Sequence, residues 1–236
     1  MNKQPNICVV GWYFFESFYK ELGKSNFKIH IVAHRNNEVL NSLNHTLTDN
    51  VGLEYGAYSY YVRNIWDEKS DVFFMHDDVN VADFDSVISK CYKEMKAKDV
   101  GHGRITSGKH AGYSQRFFYM SSSFIKIVKE RYDGMWYDRE NFGYIDQKSQ
   151  PEDWRPRRYN DGAFHFSEMI KEINKDCGLL ICYDVIDERI DLYDKGSAKI
   201  KPVLTKKEKQ EKKKRSKYLK QRKKEEIALW KKKRKK

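Results

Sequence analysis

Asp71-Val72-Phe73-Phe74-Met75-His76-Asp77-Asp78-Val79 decides how this chain reads. Four apolar residues lead straight into a histidine and two aspartates. Val72 to Met75, β-branched and aromatic with no helical period, reads as a buried strand. That strand therefore ends in adjacent carboxylates at the mouth of a sheet. Like charges that close repel, and each is costly to take out of water unless a cation or strong donors neutralise it. A divalent metal holding a phosphate meets that need, because carboxylate oxygens suit Mg or Mn. A strand-to-helix turn is the plainer alternative, with an Asp receiving the first N–H groups of the next helix.

Working outward, Asn6 to Val10 reads as a first strand closed by Gly11, and Trp12 to Leu22 (WYFFESFYKEL) as an amphipathic helix stopped by Gly23. Phe27 to Ala33 reads as a second strand, and Val51 to Trp66 as a helix with Leu53, Ala57, Tyr61 and Ile65 on one face. Beyond the deciding run, Asp83-Phe84-Asp85 opens a helix to about Lys96 whose buried face is Val87, Ile88, Cys91 and Met95. Alternating strands and helices with short links predict an α/β fold, a mixed and mostly parallel sheet flanked by helices. Ligands of such sheets bind beyond the carboxyl ends of the strands. His76, Asp77 and Asp78 lie there, as do His34 and Arg35 after the second strand.

The middle of the chain is less regular. Val100 to Gly112 (VGHGRITSGKHAG) holds glycines and basic residues and reads as a loop, Arg116 to Met120 as a strand, and Ser123 to Glu130 as a helix. Asp133 to Arg158 is polar, aromatic and irregular, and a connection that long is commonly functional. Asp161 to Asn174 reads as a helix capped by Asn160 or Asp161, and Leu179 to Val185 as a last strand. No internal repeat is visible.

The net charge of +12 is unevenly placed. Residues 205–236 hold 18 Lys and Arg against 4 Asp and Glu, a local net of +14, so residues 1–204 carry a net of −2. The expected organisation is a near-neutral domain over 1–204 and a Lys/Arg-rich tail over 205–236, helical or disordered. Such a tail attracts polyanions through counterion release and anionic membrane surfaces through their potential. Nucleic acid and a membrane face are its candidate partners, and a solubilising extension with no partner is the plainer alternative. Only Tyr218 and Trp230 offer rings for base stacking there, which argues against sequence-specific reading of nucleic acid. No apolar run approaches the ~20 residues that span a bilayer. The first residues lack the order of a signal peptide. Cys8, Cys91, Cys177 and Cys182 have no metal-like spacing and fit a reducing compartment. The expected location is cytoplasmic, with a peripheral site at the inner membrane face as the role the tail would add.

The initial βαβ half, the His76-Asp77-Asp78-Val79 strand end and the carboxylate-capped later helix together resemble a GT-A-type glycosyltransferase, of the nucleotide-diphospho-sugar transferase superfamily, over about residues 6 to 195. The HDDV run is similar to the metal-binding carboxylate motif of these enzymes. The resemblance implies a GT-A-like, Rossmann-like sheet and transfer of a sugar from a nucleotide-sugar donor to a hydroxyl of a glycan, a lipid-linked or a protein acceptor. It implies Mn or Mg held by Asp78, with His76 or Asp77 helping. Such a metal neutralises charge on the leaving diphosphate as a Lewis acid. Gly11, Trp12, His34, Arg35 and Asp77 are then the nucleotide-sugar residues. Lys109, with His110, sits in a basic loop suited to closing over phosphates. An inverting transferase also needs a carboxylate base, for which Asp161 matches best, at the start of the helix AFHFSEMIKEI. Glu152 and Asp153 compete for that role; a retaining enzyme would leave Asp161 for acceptor binding. Related enzymes often supply a late His as a further ligand, but Ile190 to Ser197 has none; either Asp191 or Asp194 substitutes or that ligand is absent. His165 reads as a packed helix residue. The competing function is a catalytically weak or inactive binding protein on the same fold, which the missing late His and the His at position 76 favour.

Overall fold

In the computed structural model, which describes residues 4–49, 53–107, 116–132, 134, 166, 169–173, 175, 178–181 and 183–193, the deciding run forms strand β4 (Val72–His76) at the heart of a seven-stranded sheet. The others in chain order are β1 (Asn6–Gly11), β2 (Lys28–Ala33), β3 (His45–Leu47), β5 (Val79–Val81), β6 (His102–Thr106), β7 (Phe117–Met120), β8 (Tyr183–Ile186) and β9 (Ile190–Leu192). The helices are α1 (Glu16–Leu22), α2 (Leu53–Asn64), α3 (Phe84–Ala97) and α4 (Ser122–Tyr132). Residues 166, 169–173 and 175 are helical as well.

The main sheet runs β3-β2-β1-β4-β7-β6-β8, and β5 pairs with β9 in a separate ribbon. β1 lies parallel to both β2 and β4, β2 to β3, and β6 to β8; among these strands β7 alone is antiparallel to its neighbours, between β4 and β6. The expected mixed, mostly parallel α/β sheet is what the chain forms. From β1 the chain steps outward through β2 to β3 and then returns to β1's other side as β4. The strand order therefore reverses between β1 and β4, and the place beyond their carboxyl ends is the crevice where sheets of this kind take their ligands.

Both faces of β4 are apolar because both are covered, as parallel sheets require. Phe73 and Met75 pack with Ile7, Val9 and Phe117 under α1 and α3. Val72 and Phe74 pack with Cys8, Val10 and Phe118 under α2 and α4, joined by Phe166, Met169, Ile170 and Ile173. Phe74 stacks on Phe118 at 5.0 Å and takes the edges of Tyr58 and Tyr61. Burying a side chain of that size contributes about 1.5–3 kcal/mol.

Three expected elements differ. The last strand, expected over Leu179 to Val185, is β8, which begins at Tyr183, with Leu180 making only an isolated bridge to Val100. The first helix starts at Glu16 rather than Trp12, because the N–H groups of Trp12, Tyr13 and Phe14 bond to Asp77 instead of opening a helix. The expected loop from Val100 contains strand β6, held between β7 and β8. The tail 205–236 and the irregular stretch 135–158 lie outside the described residues.

Candidate functional site

Three strand ends meet at the crevice. β1 runs out into Trp12 and Tyr13, β2 into His34 and Arg35, and β4 into His76, Asp77 and Asp78. The β4 end is tied into its surroundings: His76 N–H donates to the Arg116 carbonyl at 2.8 Å, Asp77 N–H to that of Val10 at 3.2 Å, and Tyr193 N–H to that of Asp78 at 2.9 Å.

Asp78 is fully buried. Its Oδ1 lies 3.0 Å from His76 Nδ1, and its Oδ2 accepts from the Arg116 guanidinium. Burial pushes the His76 imidazole toward its neutral form, but the hydrogen bond and charge of Asp78, joined by Asp77 and Glu54, outweigh it and raise its pKa above the ordinary value. Neutralisation of the strand-end carboxylates thus comes from side chains on β4 itself and at the start of β7, while Glu54, in the first turn of α2, adds charge of the opposite sign.

Asp77 is also fully buried. Its Oδ2 accepts from the backbone N–H groups of Trp12 at 2.8 Å, Tyr13 at 2.7 Å and Phe14 at 2.8 Å, and from the Tyr19 hydroxyl at 3.0 Å. Burial raises its pKa, and the nearby His76 and those three N–H groups offset part of the rise. Asp77, expected to contact the nucleotide sugar, has no exposed surface; Oδ2 takes four protein donors, and Oδ1 is buried without a hydrogen-bond partner, 3.6 Å from His76 Nδ1.

Trp12, half-buried, carries the Arg35 guanidinium over its ring at 4.1 Å and meets the His34 ring edge-on at 6.2 Å. His34 Nδ1 lies 3.2 Å from Thr48 Oγ1. Gly11 stands where a Cβ would come within 3.0 Å of the Tyr19 hydroxyl and 3.1 Å of Ala33 Cβ, so close packing against those side chains explains it. Three of the residues expected around the nucleotide are therefore in mutual contact at one mouth of the crevice.

Beside Arg116 a small cleft opens, lined by Ile105, Thr106, Arg116, Phe117 and Asp191 among others. Asp191 sits on β9 opposite Asn80 of β5. Among the described residues no group of three His, Cys, Asp or Glu side chains is placed to hold a metal ion. Of the expected ligands, Asp78 carries the carboxylate that Mn or Mg takes, but both its oxygens are already held, one by His76 Nδ1 and one by the Arg116 guanidinium. Lys109, His110, Glu152, Asp153, Asp161, His165 and Asp194 lie outside the described residues. Sequence reasoning missed Arg116, Glu54, Tyr19 and Tyr193. The contact of Arg116 with Asp78 spans 38 residues and leaves no local signal; an Arg heading an apolar strand is unremarkable by itself.

No family model matches the chain, and no curated protein matches it. Among solved structures it is similar to mannose-1-phosphate geranyltransferase from Thermus thermophilus, at 10% identity and a TM-score of 0.41, over 55% of this chain and 60% of that one. The chain thus spans less than two thirds of that protein's length. It is also similar to CMP:2-keto-3-deoxy-manno-octonic acid synthetase complexed with CTP, at 6% identity and a TM-score of 0.42, over 78% of this chain and 91% of that one. No helix among the described residues is long and apolar enough to cross a membrane. The fold class stands on this chain's own strand order and register.

Proposed function

We propose that this chain is a metal-dependent glycosyltransferase of the GT-A type, moving a sugar from a nucleotide-sugar donor to a hydroxyl of a glycan, lipid-linked or protein acceptor. The observation that carries the reading is the placement of buried Asp78, with His76 and Arg116 on its two oxygens, at the point where the strand order reverses. Asp78 and His76 would hold Mn or Mg, which supplies Lewis-acid stabilisation of the leaving diphosphate. Trp12, His34 and Arg35 form the nucleotide end, beside Gly11. Arg116 has a guanidinium at the crevice, a group whose fork matches phosphate oxygens. Lys109 would add a second cation over the diphosphate. For an inverting reaction Asp161, with Asp153 as competitor, would take the proton of the acceptor hydroxyl. The tail 205–236 would bring the domain to an anionic surface, membrane or nucleic acid, in the cytoplasm.

The second reading is a binding protein with little or no transfer activity. The Arg116–Asp78 ion pair favours it, because Arg116 occupies the Asp78 oxygen that a cation would share.

Thermal unfolding against a panel of nucleoside diphosphates and nucleotide sugars, with and without Mn, separates the two. A ligand at one hundred times its Kd adds about 2.7 kcal/mol to stability. A Mn-dependent rise with one nucleotide that Asp78→Asn abolishes, in a variant whose circular dichroism matches the parent, supports the enzyme. A flat response across the panel removes it.

A further inference from the structure

Phe14 adopts φ +57°, a left-handed backbone that a bulky residue rarely takes unless its surroundings impose it. It is the third of three consecutive residues whose N–H groups converge on a single carboxylate oxygen, Asp77 Oδ2. The fourth donor to that oxygen, the Tyr19 hydroxyl, comes from α1, and the Phe14 ring stacks on Tyr19 at 5.9 Å. Strand β4 therefore reaches through the residue after its end to hold the start of the β1–α1 segment and the helix after it. Nothing in the sequence of Trp12 to Phe15 would hold that shape. Left to its pattern the stretch reads as the first turn of a helix.

The held segment presents two rings to the crevice. Trp12 meets Arg35 and His34, and Tyr13 meets the ring of His76 edge-on at 5.6 Å. Had the helix begun at Trp12, both rings would leave these positions.

We propose that Asp77 is a positioning residue: its carboxylate fixes the Trp12–Phe14 backbone so that Trp12 and Tyr13 line the donor crevice, and it touches no substrate itself. This rests on the nucleotide-donor reading given above. The role is one of hydrogen-bond acceptance and not of charge. An amide oxygen placed in the same position can accept the same N–H groups, so Asp77→Asn separates the two.

Amide hydrogen exchange on the full chain reads the staple directly, because exchange reports local opening. In Asp77→Ala the amides of residues 12–14 are expected to lose at least about tenfold in protection while those of β1 and β4 keep theirs. Affinity for the nucleoside diphosphate that stabilises the parent most is expected to fall by about tenfold or more. Asp77→Asn is expected to keep residues 12–14 protected and to hold affinity within about threefold. Freed amides with unchanged affinity would overturn the proposal, as would amides that stay protected in Asp77→Ala. Asp77→Asn that stays protected yet loses nucleotide binding would assign the role to charge, and it decides the matter even where Asp77→Ala does not fold. A parent that binds no nucleotide in the panel takes down the donor reading, and the donor role of Asp77 with it. A parent that binds, beside variants that fail these expectations, takes down the positioning role alone.

Discussion

His102 lies fully buried on β6 among the rings of Phe118, Phe124 and Phe166, with centroids 5.8, 6.1 and 6.0 Å away, and neither ring nitrogen has a hydrogen-bond partner among the described residues. Burial, helped by Arg104, pushes its pKa from 6.5 down to about 3. Unfolding releases it to the ordinary value. Between those two values the unfolded chain binds the extra proton, so stability is full above the unfolded pKa and falls as pH drops through it. The slope from this one group approaches about 1.4 kcal/mol per pH unit. Urea unfolding from pH 7 to 4 should therefore show a steep acid loss that His102→Phe flattens. His76 carries the opposite sign, contributing below its unfolded pKa and losing that as pH rises through its raised folded value, so the parent-minus-variant difference isolates His102. At the strand end, Arg116→Met removes the guanidinium partner of buried Asp78. Breaking such a pair is expected to cost about 3 kcal/mol, the lower end of the usual range because the guanidinium is partly exposed. An unchanged urea midpoint would show that Asp78 finds another partner. His76 and Asp78 were legible in the sequence because an apolar run ends on them. Arg116 and Tyr19 were not, since only the folded sheet brings them to these carboxylates.

Elements were legible where their apolar runs are long. β1, β2, β4, β7 and α3 stand close to where periodicity puts them, with burial on both faces of β4 accounting for its lack of alternation. β3, β5 and β9 are three residues each, too short for any period to register. β6 was hidden by its glycines, which read as loop markers. They have a packing reason instead: a Cβ on Gly103 would run into Met95 Sδ on α3, and one on Gly101 would lie 2.8 Å from Leu179 Cβ and 3.1 Å from Phe124 Cδ2. Helix α3 and the segment at Leu179 approach the sheet more closely than a methyl group allows. Gly101→Ala is expected to destabilise by about 1–3 kcal/mol through overpacking. Gly103→Ala should cost less, because the Met95 thioether is flexible and can swing aside. Equal thermal midpoints for the two variants would show that Leu179 moves as freely as Met95.

At the scale of the molecule, charge and core are separated along the chain. Residues 1–204 carry a net of −2 and include every described residue, and both hydrophobic clusters are built from them. Residues 205–236 carry +14 with few apolar side chains. Two consequences can be read independently. Binding to a polyanion through released counterions falls steeply with salt, with a slope set by the number of charges neutralised. The proposed chemistry in the crevice would depend on His76, Asp78 and the strand ends, whose described contacts all lie before residue 194. Removing 205–236 is therefore expected to take the chain from +12 to −2, abolish salt-dependent retention on anionic lipid vesicles or on single-stranded DNA, and leave the thermal midpoint and any nucleotide response as in the full chain. Vesicles and DNA in parallel tell the two surfaces apart, because a membrane interface also takes up Trp230 and shifts its fluorescence to shorter wavelength. A truncated chain that keeps its retention would locate the polyanion site on the domain. One that loses its nucleotide response as well would show that the basic segment belongs to the crevice, with its lysines serving the donor phosphates rather than a second partner.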